Sequence, residues 1–202
     1  DGCGLIEGHT THSLRQHILT ALVAALAALR AWWMGPMWLD NSFLSLAYSD
    51  RIARTGSVML AGQTESYEAF TNPLWVGIFA LLGRFDVNEV QAQVPVGVIL
   101  YAWLAALLFR ALSVRFSSAV TIVVMLSFGL APIAAAARDG SDAMLLAILS
   151  LWATLRMSRN QGRSHPFTML ILALLVVSGI YGWLVAAGLS VFAARKRLWM
   201  PV

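Results

Sequence analysis

Charge is what this sequence has least of. Only 12% of its 202 residues are Asp, Glu, Lys or Arg, whereas a soluble globular domain carries about a quarter. Cysteine is almost absent too: Cys3 stands alone, so no intrachain disulfide can form and no cysteine-based metal spacing exists. Hydrophobic residues make up 59% of the chain, and the mean hydropathy is +0.72. Together these features exclude a soluble globular domain and predict an integral membrane protein with one transmembrane domain over residues 1–202.

Several functional motifs are also missing. The sequence has no P-loop, nucleophile elbow or glycine-rich dinucleotide fingerprint. No basic run alternates with aromatics, so the net charge of +4 does not indicate nucleic acid, and scattered arginines are typical of membrane orientation. Apart from Arg30, ionisable residues avoid the interiors of the apolar stretches, which disfavours a transporter or channel. His9 and His12 are better explained as solvated residues than as a metal site, and no metal ligands are predicted.

The apolar stretches predict an all-α fold, because a helix needs roughly 20 apolar residues to cross a bilayer. We expect a polytopic bundle of about five or six membrane helices, which lie at 16–37, 90–112, 117–136, 142–157, 166–178 and 181–194. The last two come from one block, 166–194, which also fits a single span. A break at Ser178-Gly179 is preferred, because it returns the basic tail to the side of the other arginines. Pro73–Gly83 is too short to span and is interpreted as a re-entrant or interfacial helix.

Charges sort by side along this predicted topology. One side carries only basic residues: Arg110, Arg115, Arg156, Arg159, Arg163, Arg195, Lys196 and Arg197. The other side carries the acids: Asp40, Asp50, Glu65, Glu68, Asp86, Glu89, Asp139 and Asp142. Because positive residues mark the cytoplasmic side, both termini are expected in the cytoplasm and the loop 39–89 is expected outside. The expected location is the bacterial inner membrane.

The outward loop opens with a predicted amphipathic helix. Leu44, Ala47, Tyr48 and Ile52 recur at helical spacing, which suits a helix lying on the outer membrane surface. Asp40, at its start, has two interpretations. It can cap the first free amides of the helix. It can also act as a general base toward an acceptor hydroxyl, or help to hold a divalent cation near a lipid phosphate; that cation is the one cofactor this chemistry suggests.

A second acidic segment lies on the same predicted side. Asp139-Gly140-Ser141-Asp142 forms a predicted tight turn between two spans, so its carboxylates are placed to face the same cavity as the outward loop. The alternative is a solvated turn in which Asp142 caps the following helix.

Three segments resemble a known family. They are DNSFLSLAYSDRIA (Asp40–Ala53), YEAFTNPLW (Tyr67–Trp75) and DGSDA (Asp139–Ala143). In order, spacing and side they are similar to the patterns D-D-A-F-I-S-x-R-Y-A-x-N-L-A, V-E-G-Y-T-N-P-L-W and S-G-x-E-T. These patterns belong to the GT-C glycosyltransferases, in the arabinofuranosyl- and mannosyltransferase-like branch of bacterial envelopes. The resemblance covers residues 15–194.

The resemblance implies a transferase that takes a sugar from a polyprenyl-phosphate donor with inversion. It places Asp40 as the catalytic base and Asp142 in the position of a later family glutamate. The substrate-binding residues that it implies are Asn41, Glu68, Thr71, Asn72, Asp139 and Asp142.

Departures from the family patterns support a second hypothesis. Asn41 replaces the second acid, Ala47 replaces an arginine, and SGIYG (178–182) replaces an R-P-E/D-G turn. These losses predict a fragment, or a shortened relative that has lost catalysis and serves as a non-catalytic transmembrane subunit. Its partners would be the lipid bilayer and other membrane subunits of a larger complex.

Overall fold

The computed structural model describes residues 4–33, 40–57, 72–130, 142–159 and 166–199. Within these ranges the protein forms eight helices and no strand, so the predicted all-α class is confirmed. The helices are α1 (Gly4–Trp33), α2 (Asp40–Thr55), α3 (Pro73–Arg84), α4 (Glu89–Ser113), α5 (Ser118–Leu130), α6 (Ala143–Arg159), α7 (Pro166–Val177) and α8 (Ile180–Trp199).

Two helical stretches are long and apolar enough to cross a membrane. They are Leu14–Trp33 in α1, with 20 residues, and the whole of α4, with 25. Shorter apolar helices are Pro73–Arg84, Ala143–Ser158, Pro166–Val177 and Tyr181–Ala194. The 12 residues of α7 extend roughly 18 Å at 1.5 Å per residue, less than the ~30 Å hydrocarbon core. The further spans of the predicted bundle stay a prediction.

Helix α4 is the central element, since α1, α2, α3, α5 and α6 all contact it. Its sequence is apolar on every face and includes the small buried residues Ala92, Gly97 and Ala105, which allow neighbouring helices to approach closely. Its Tyr101 is fully buried. One buried cluster joins α4 to α1 and α6 through Ala31, Val98, Tyr101, Leu104, Met144 and Ile148.

A second buried cluster gathers around α3. Trp75 and Phe79 are buried, and their rings meet edge to face with centroids 4.8 Å apart. They belong to one buried cluster with apolar residues of α2, α4, α6, α7 and α8: Leu46, Ala92, Leu145, Leu149, Ala153, Ile171, Leu175 and Ala186. The short helix α3 therefore lies inside the fold of the described residues, with its apolar face covered by protein.

The predicted apolar face of α2 is only partly covered by protein. Tyr48 is buried, Leu44 and Ala47 are exposed, and Ser49 is buried beside Tyr48. The cause is α3, which packs along α2 and rotates its inward face toward residues 46, 48 and 49. The Ser49 hydroxyl lies 3.1 Å from the Val76 carbonyl oxygen, to which it donates, so a polar side chain is satisfied in this contact. The placement of α2 on the outer membrane surface stays a prediction.

Several arginines gather at one end of the helices, which we call the basic end and define by Arg15, Arg110, Arg115 and Arg156. Two hydrogen bonds link neighbouring helices there. They run from Gln16 Nε2 to Ser113 Oγ, at 3.2 Å, and from Arg115 Nη2 to Ser158 Oγ, at 3.1 Å.

Asp142 precedes the other end of α6, so it lies roughly 21 Å from Arg156 along the helix axis. Acid and base therefore lie at opposite ends of α6, and which side of a membrane each end faces stays a prediction.

The block 166–194 is broken at Ser178-Gly179, so that α7 and α8 are separate helices in contact. Gly179 adopts a φ of +105°, a conformation that side chains disfavour. The Ser178 hydroxyl donates to the Leu175 carbonyl oxygen at 2.7 Å. Gly182 then approaches the end of α7 so closely that a Cβ atom would overlap the Leu175 carbonyl and the Ser178 hydroxyl.

Gly182→Ala should therefore destabilise the protein by about 1–3 kcal/mol, because the overlapping carbonyl belongs to the backbone and cannot rotate away. Gly188→Ala is the matched control: it lies on the same helix with nothing within 4 Å of the added Cβ, and should gain up to ~1 kcal/mol in helix propensity. Thermal unfolding of the purified protein in detergent micelles measures both. Equal unfolding midpoints for the two variants would contradict the close α7–α8 approach.

Candidate functional site

Asn72 sets the start of α3. Its Oδ1 accepts a hydrogen bond from the Trp75 backbone N–H at 3.0 Å, and its carbonyl accepts one from Val76 at 3.2 Å. Pro73 follows at the first helical position, where its fixed φ suits the helix and its missing N–H costs nothing. The Asn72 side chain is only 2% exposed. The local sequence Asn-Pro thus builds a rigid, buried helix N-terminus.

Asp142 lies directly before α6, and its carbonyl accepts the hydrogen bond from Leu146 N–H that opens that helix. Its carboxylate oxygen Oδ2 accepts a hydrogen bond from Asn72 Nδ2 at 2.5 Å, across 70 residues of sequence. The N-termini of α3 and α6 therefore meet at this pair. A carboxylate beside helix N-termini is electrostatically favoured, because their free N–H groups carry partial positive charge.

The side chains of Asn72 and Asp142 differ in how many of their polar atoms are bonded within the protein. Asn72 uses its carbonyl oxygen on α3 and its amide nitrogen on Asp142, so it acts as a structural clasp between the two segments. Asp142 is half-buried, and its second oxygen, Oδ1, takes no part in the bond to Asn72. That oxygen is the part of the pair able to accept a bond from a substrate hydroxyl.

Helix α2 brings cations to the predicted outward loop. Arg54 donates from Nε to Asp50 Oδ1 at 2.6 Å, and this hydrogen bond and the charge of Asp50 raise the pKa of the Arg54 guanidinium above its ordinary value. Both side chains are well exposed, so the pair contributes little to stability. Arg51 is half-buried, and its Nε has no hydrogen-bond partner within the described ranges.

Arg51 is a candidate that the sequence reasoning passed over. Ala47 stands where the family pattern has an arginine. Residues 47 and 51 are i and i+4 on α2 and share a face, so a cation is available one turn further along. This spacing was the signal that would have found it.

Gln93 was also overlooked. It is 1% exposed, and neither of its amide atoms has a partner in the described part of the chain. A buried amide without partners lowers the stability of a protein by about 1–3 kcal/mol. A water molecule or a ligand group that hydrogen-bonds to Gln93 would remove this cost. A glutamine followed by the apolar run of α4 was the sequence signal.

The predicted site residues fall into two sets. The structure brings Asn72 and Asp142 together. Asp40 begins α2, but its side chain and that of Asn41 lie outside the described residues, as do Glu68, Thr71 and Asp139. The interpretations of Asp40 as base or cap therefore both stay predictions. In the described part, no group of three or more His, Cys, Asp or Glu side chains is arranged to hold a metal ion.

No protein-family model, curated protein or solved structure matches this chain. The resemblance to GT-C glycosyltransferases rests on its three motifs alone, and the assignment to that family stays a prediction.

Asn72→Ala should destabilise the protein by about 2–4 kcal/mol, because it removes both a helix cap and a hydrogen bond to a charged group. The matched control is Asn88→Ala. Asn88 caps α4 through a bond from Gln91 N–H at 3.1 Å in an exposed setting, so its loss should cost only ~1 kcal/mol. Chemical or thermal unfolding in micelles measures the difference.

Asn72→Ala should lower the free energy of unfolding by less in an Asp142→Ala background than in the wild type. The effects of changing two residues that share one hydrogen bond are not additive. Equal losses for Asn72→Ala and Asn88→Ala, or full additivity with Asp142→Ala, would show that the pair does not tie the two helices together.

Proposed function

We propose that this chain is a GT-C-like glycosyltransferase of the bacterial inner membrane, which transfers a sugar from a polyprenyl-phosphate donor at the outer face. The observation that carries the proposal is the hydrogen bond between Asn72 and Asp142. It joins two of the three family-like segments, TNPLW and DGSDA, which are far apart in sequence. Segments that serve one cavity must meet in space, and these two do.

The proposed membrane arrangement follows from helix length and charge. Helices α1 and α4 are the complete spans, while α5, α6 and the α7–α8 pair add the remaining passes of a bundle of about five or six helices. Helices α2 and α3 belong to the outer loop, α2 at the interface and α3 re-entrant. The basic end faces the cytoplasm by the positive-inside rule, so Asn72 and Asp142 face outward.

The proposed reaction is a direct displacement at the anomeric carbon. Asp40 takes the proton of the acceptor hydroxyl as that oxygen forms its bond to the anomeric carbon. The bond from that carbon to the phosphate oxygen breaks on the opposite face, and polyprenyl phosphate leaves with the electron pair. Arg51 is the cation of α2 suited to the phosphate, and Asp142 Oδ1 accepts a hydroxyl of the substrate.

Transfer in lipid nanodiscs tests this assignment. With radiolabelled polyprenyl-phosphate arabinose or mannose as donor, Asp40→Asn should lower the rate at least ~100-fold, since a general base contributes 10²–10⁴. Asp50→Asn is the control, because it makes the same chemical change on the same helix at an exposed ion pair, and it should leave transfer unchanged. Equal rates of sugar transfer for the two variants would contradict the role of Asp40 as the general base.

A non-catalytic subunit is the second candidate, and one specific observation favours it. Asn72 is buried and engaged at both ends of its amide, so a residue expected to contact substrate instead holds two helices together. In addition, α8 exposes a set of large apolar side chains: Tyr181, Trp183, Leu184, Val191 and Phe192. A helix with this surface suits packing against another membrane subunit.

Purification from native membranes in mild detergent separates the two candidates. A subunit should co-purify with a fixed stoichiometry of other membrane proteins and show no sugar transfer. The double change Trp183→Ala with Leu184→Ala should then release the partner, whereas Leu170→Ala, at an exposed position of α7, should not. A lone monomer that transfers sugar would exclude the subunit role.

A further inference from the structure

A long groove runs between α1 and α5. Both helices contact α4, which forms the floor of the groove. Two cavities lie along it, with volumes of about 480 Å³ and about 420 Å³. Phe109 and Ile122 line both cavities, so the two cavities are adjacent along the groove. Each volume is within the range of about 300–1,000 Å³ that is typical of ligand sites.

The lining residues recur every three or four positions, so each helix offers one continuous strip to the groove. On α1 they are Arg15, Gln16, Leu19, Val23, Leu26, Ala27 and Arg30; on α4 they are Tyr101, Ala105, Phe109 and Ser113. From Arg15 to Arg30 the strip extends roughly 22 Å. One leaflet of the hydrocarbon core is about 15 Å thick. The groove is therefore long enough for the extended tail of a lipid.

One end of the groove is polar and lies at the basic end. Arg15, Gln16, Ser113 and Thr121 line it. Thr121 is only 2% exposed, yet its Oγ1 has no hydrogen-bond partner among the described residues. Helical threonines normally bond to the carbonyl four residues earlier. Thr20 makes this bond at 2.7 Å. The hydroxyl of Thr121 does not, and it is therefore able to hydrogen-bond to a ligand.

The charged residues that line the groove are basic, so they favour a negatively charged ligand. Arg15 lies at the polar end and Arg30 at the far end. Four acidic side chains are described in the structure, and none of them lines either cavity; they are Asp50, Asp86, Glu89 and Asp142. Arginine beside a hydroxyl is a combination that binds phosphate oxygens well. The remainder of the lining is chiefly apolar, which suits an acyl chain and not a soluble anion.

We propose that the α1–α4–α5 groove binds a membrane phospholipid with a net negative headgroup. The phosphate lies at Arg15 and Thr121, and one acyl chain follows the apolar strip past Phe109 toward Tyr101. The proposal requires the bilayer placement given above but not sugar transfer. Its headgroup site is at the end of α6 and α4 remote from Asn72 and Asp142, so this lipid is not the sugar donor of the proposed reaction.

Native mass spectrometry of the protein released from nanodiscs tests the headgroup. With equal phosphatidylglycerol and phosphatidylcholine in the disc, the wild type should retain phosphatidylglycerol preferentially. Arg15→Gln should lower that retention about fivefold, the factor expected for one basic residue at an anionic surface. The control is Arg115→Gln, at the same end, because Arg115 lines neither cavity and donates to Ser158; it should change retention less than twofold.

A second pair of variants tests the tail. Ile122 and Val123 are adjacent on α5 and 57% and 62% exposed, so a tryptophan fits at either position without disturbing buried packing. Only Ile122 lines the groove. Ile122→Trp should abolish lipid retention, and Val123→Trp should preserve it.

Three results would overturn the proposal: equal retention of the two lipids, equal behaviour of the two tryptophan variants, or displacement of the lipid by inorganic phosphate. Loss of sugar transfer with lipid binding intact, or the reverse, would separate this proposal from the proposed enzyme activity.

Discussion

The packing of other helices around α4 is the constraint on which the rest of this structure depends. Five of the seven other described helices contact it directly, and α7 and α8 join the fold through α6 and α3. Small residues such as Gly97 and Ala105 make these contacts possible, because they let helix backbones approach where water-driven burial is weak. The same helix therefore positions both regions of interest: its N-terminal half lies beside α2, α3 and α6, and its C-terminal half forms the floor of the groove.

Because charged residues are scarce, each buried polar group has a large effect. In a medium of low dielectric constant a hydrogen bond is stronger and an unpaired group is costlier than in water. Asn72 and Asp142 satisfy one another, and that bond fixes the relation of two helix ends. Gln93 and Thr121 have no such partner among the described residues. The exposed ion pair of Arg54 and Asp50 is the opposite case, since solvent weakens it.

Sequence reasoning reached the features that local patterns encode. Composition gave the all-α class, the long apolar runs located α1 and α4, and Asn72-Pro73 marks a helix start through the chemistry of its own side chains. The break at Ser178-Gly179 is likewise local, because a glycine there accepts a positive φ.

Features that depend on contacts between different helices could not be predicted from the sequence. The apolar periodicity of α2 does not reveal that α3 packs along that helix, so the burial of Ser49 could not be predicted. The contact of Asn72 with Asp142 spans 70 residues, and no pattern of fixed period reports such a distance. Thr121 and Thr20 are both threonines in apolar helices, and the sequence does not show that Thr20 bonds to a carbonyl of its own helix while the Thr121 hydroxyl has no partner in the described residues.

The groove also follows from a shortage of protein contacts. Helix α5 has 13 residues, and its groove-lining side chains Ile122 and Leu126 are exposed because α1 does not close over them. Protein interiors pack as densely as organic crystals, so in the proposed bilayer placement an apolar space of several hundred Å³ would be filled by lipid tails. Almost any acyl chain is able to fill such an apolar space. The proposed preference for one headgroup charge at one end therefore depends on Arg15 and the buried hydroxyl of Thr121, and not on the apolar lining.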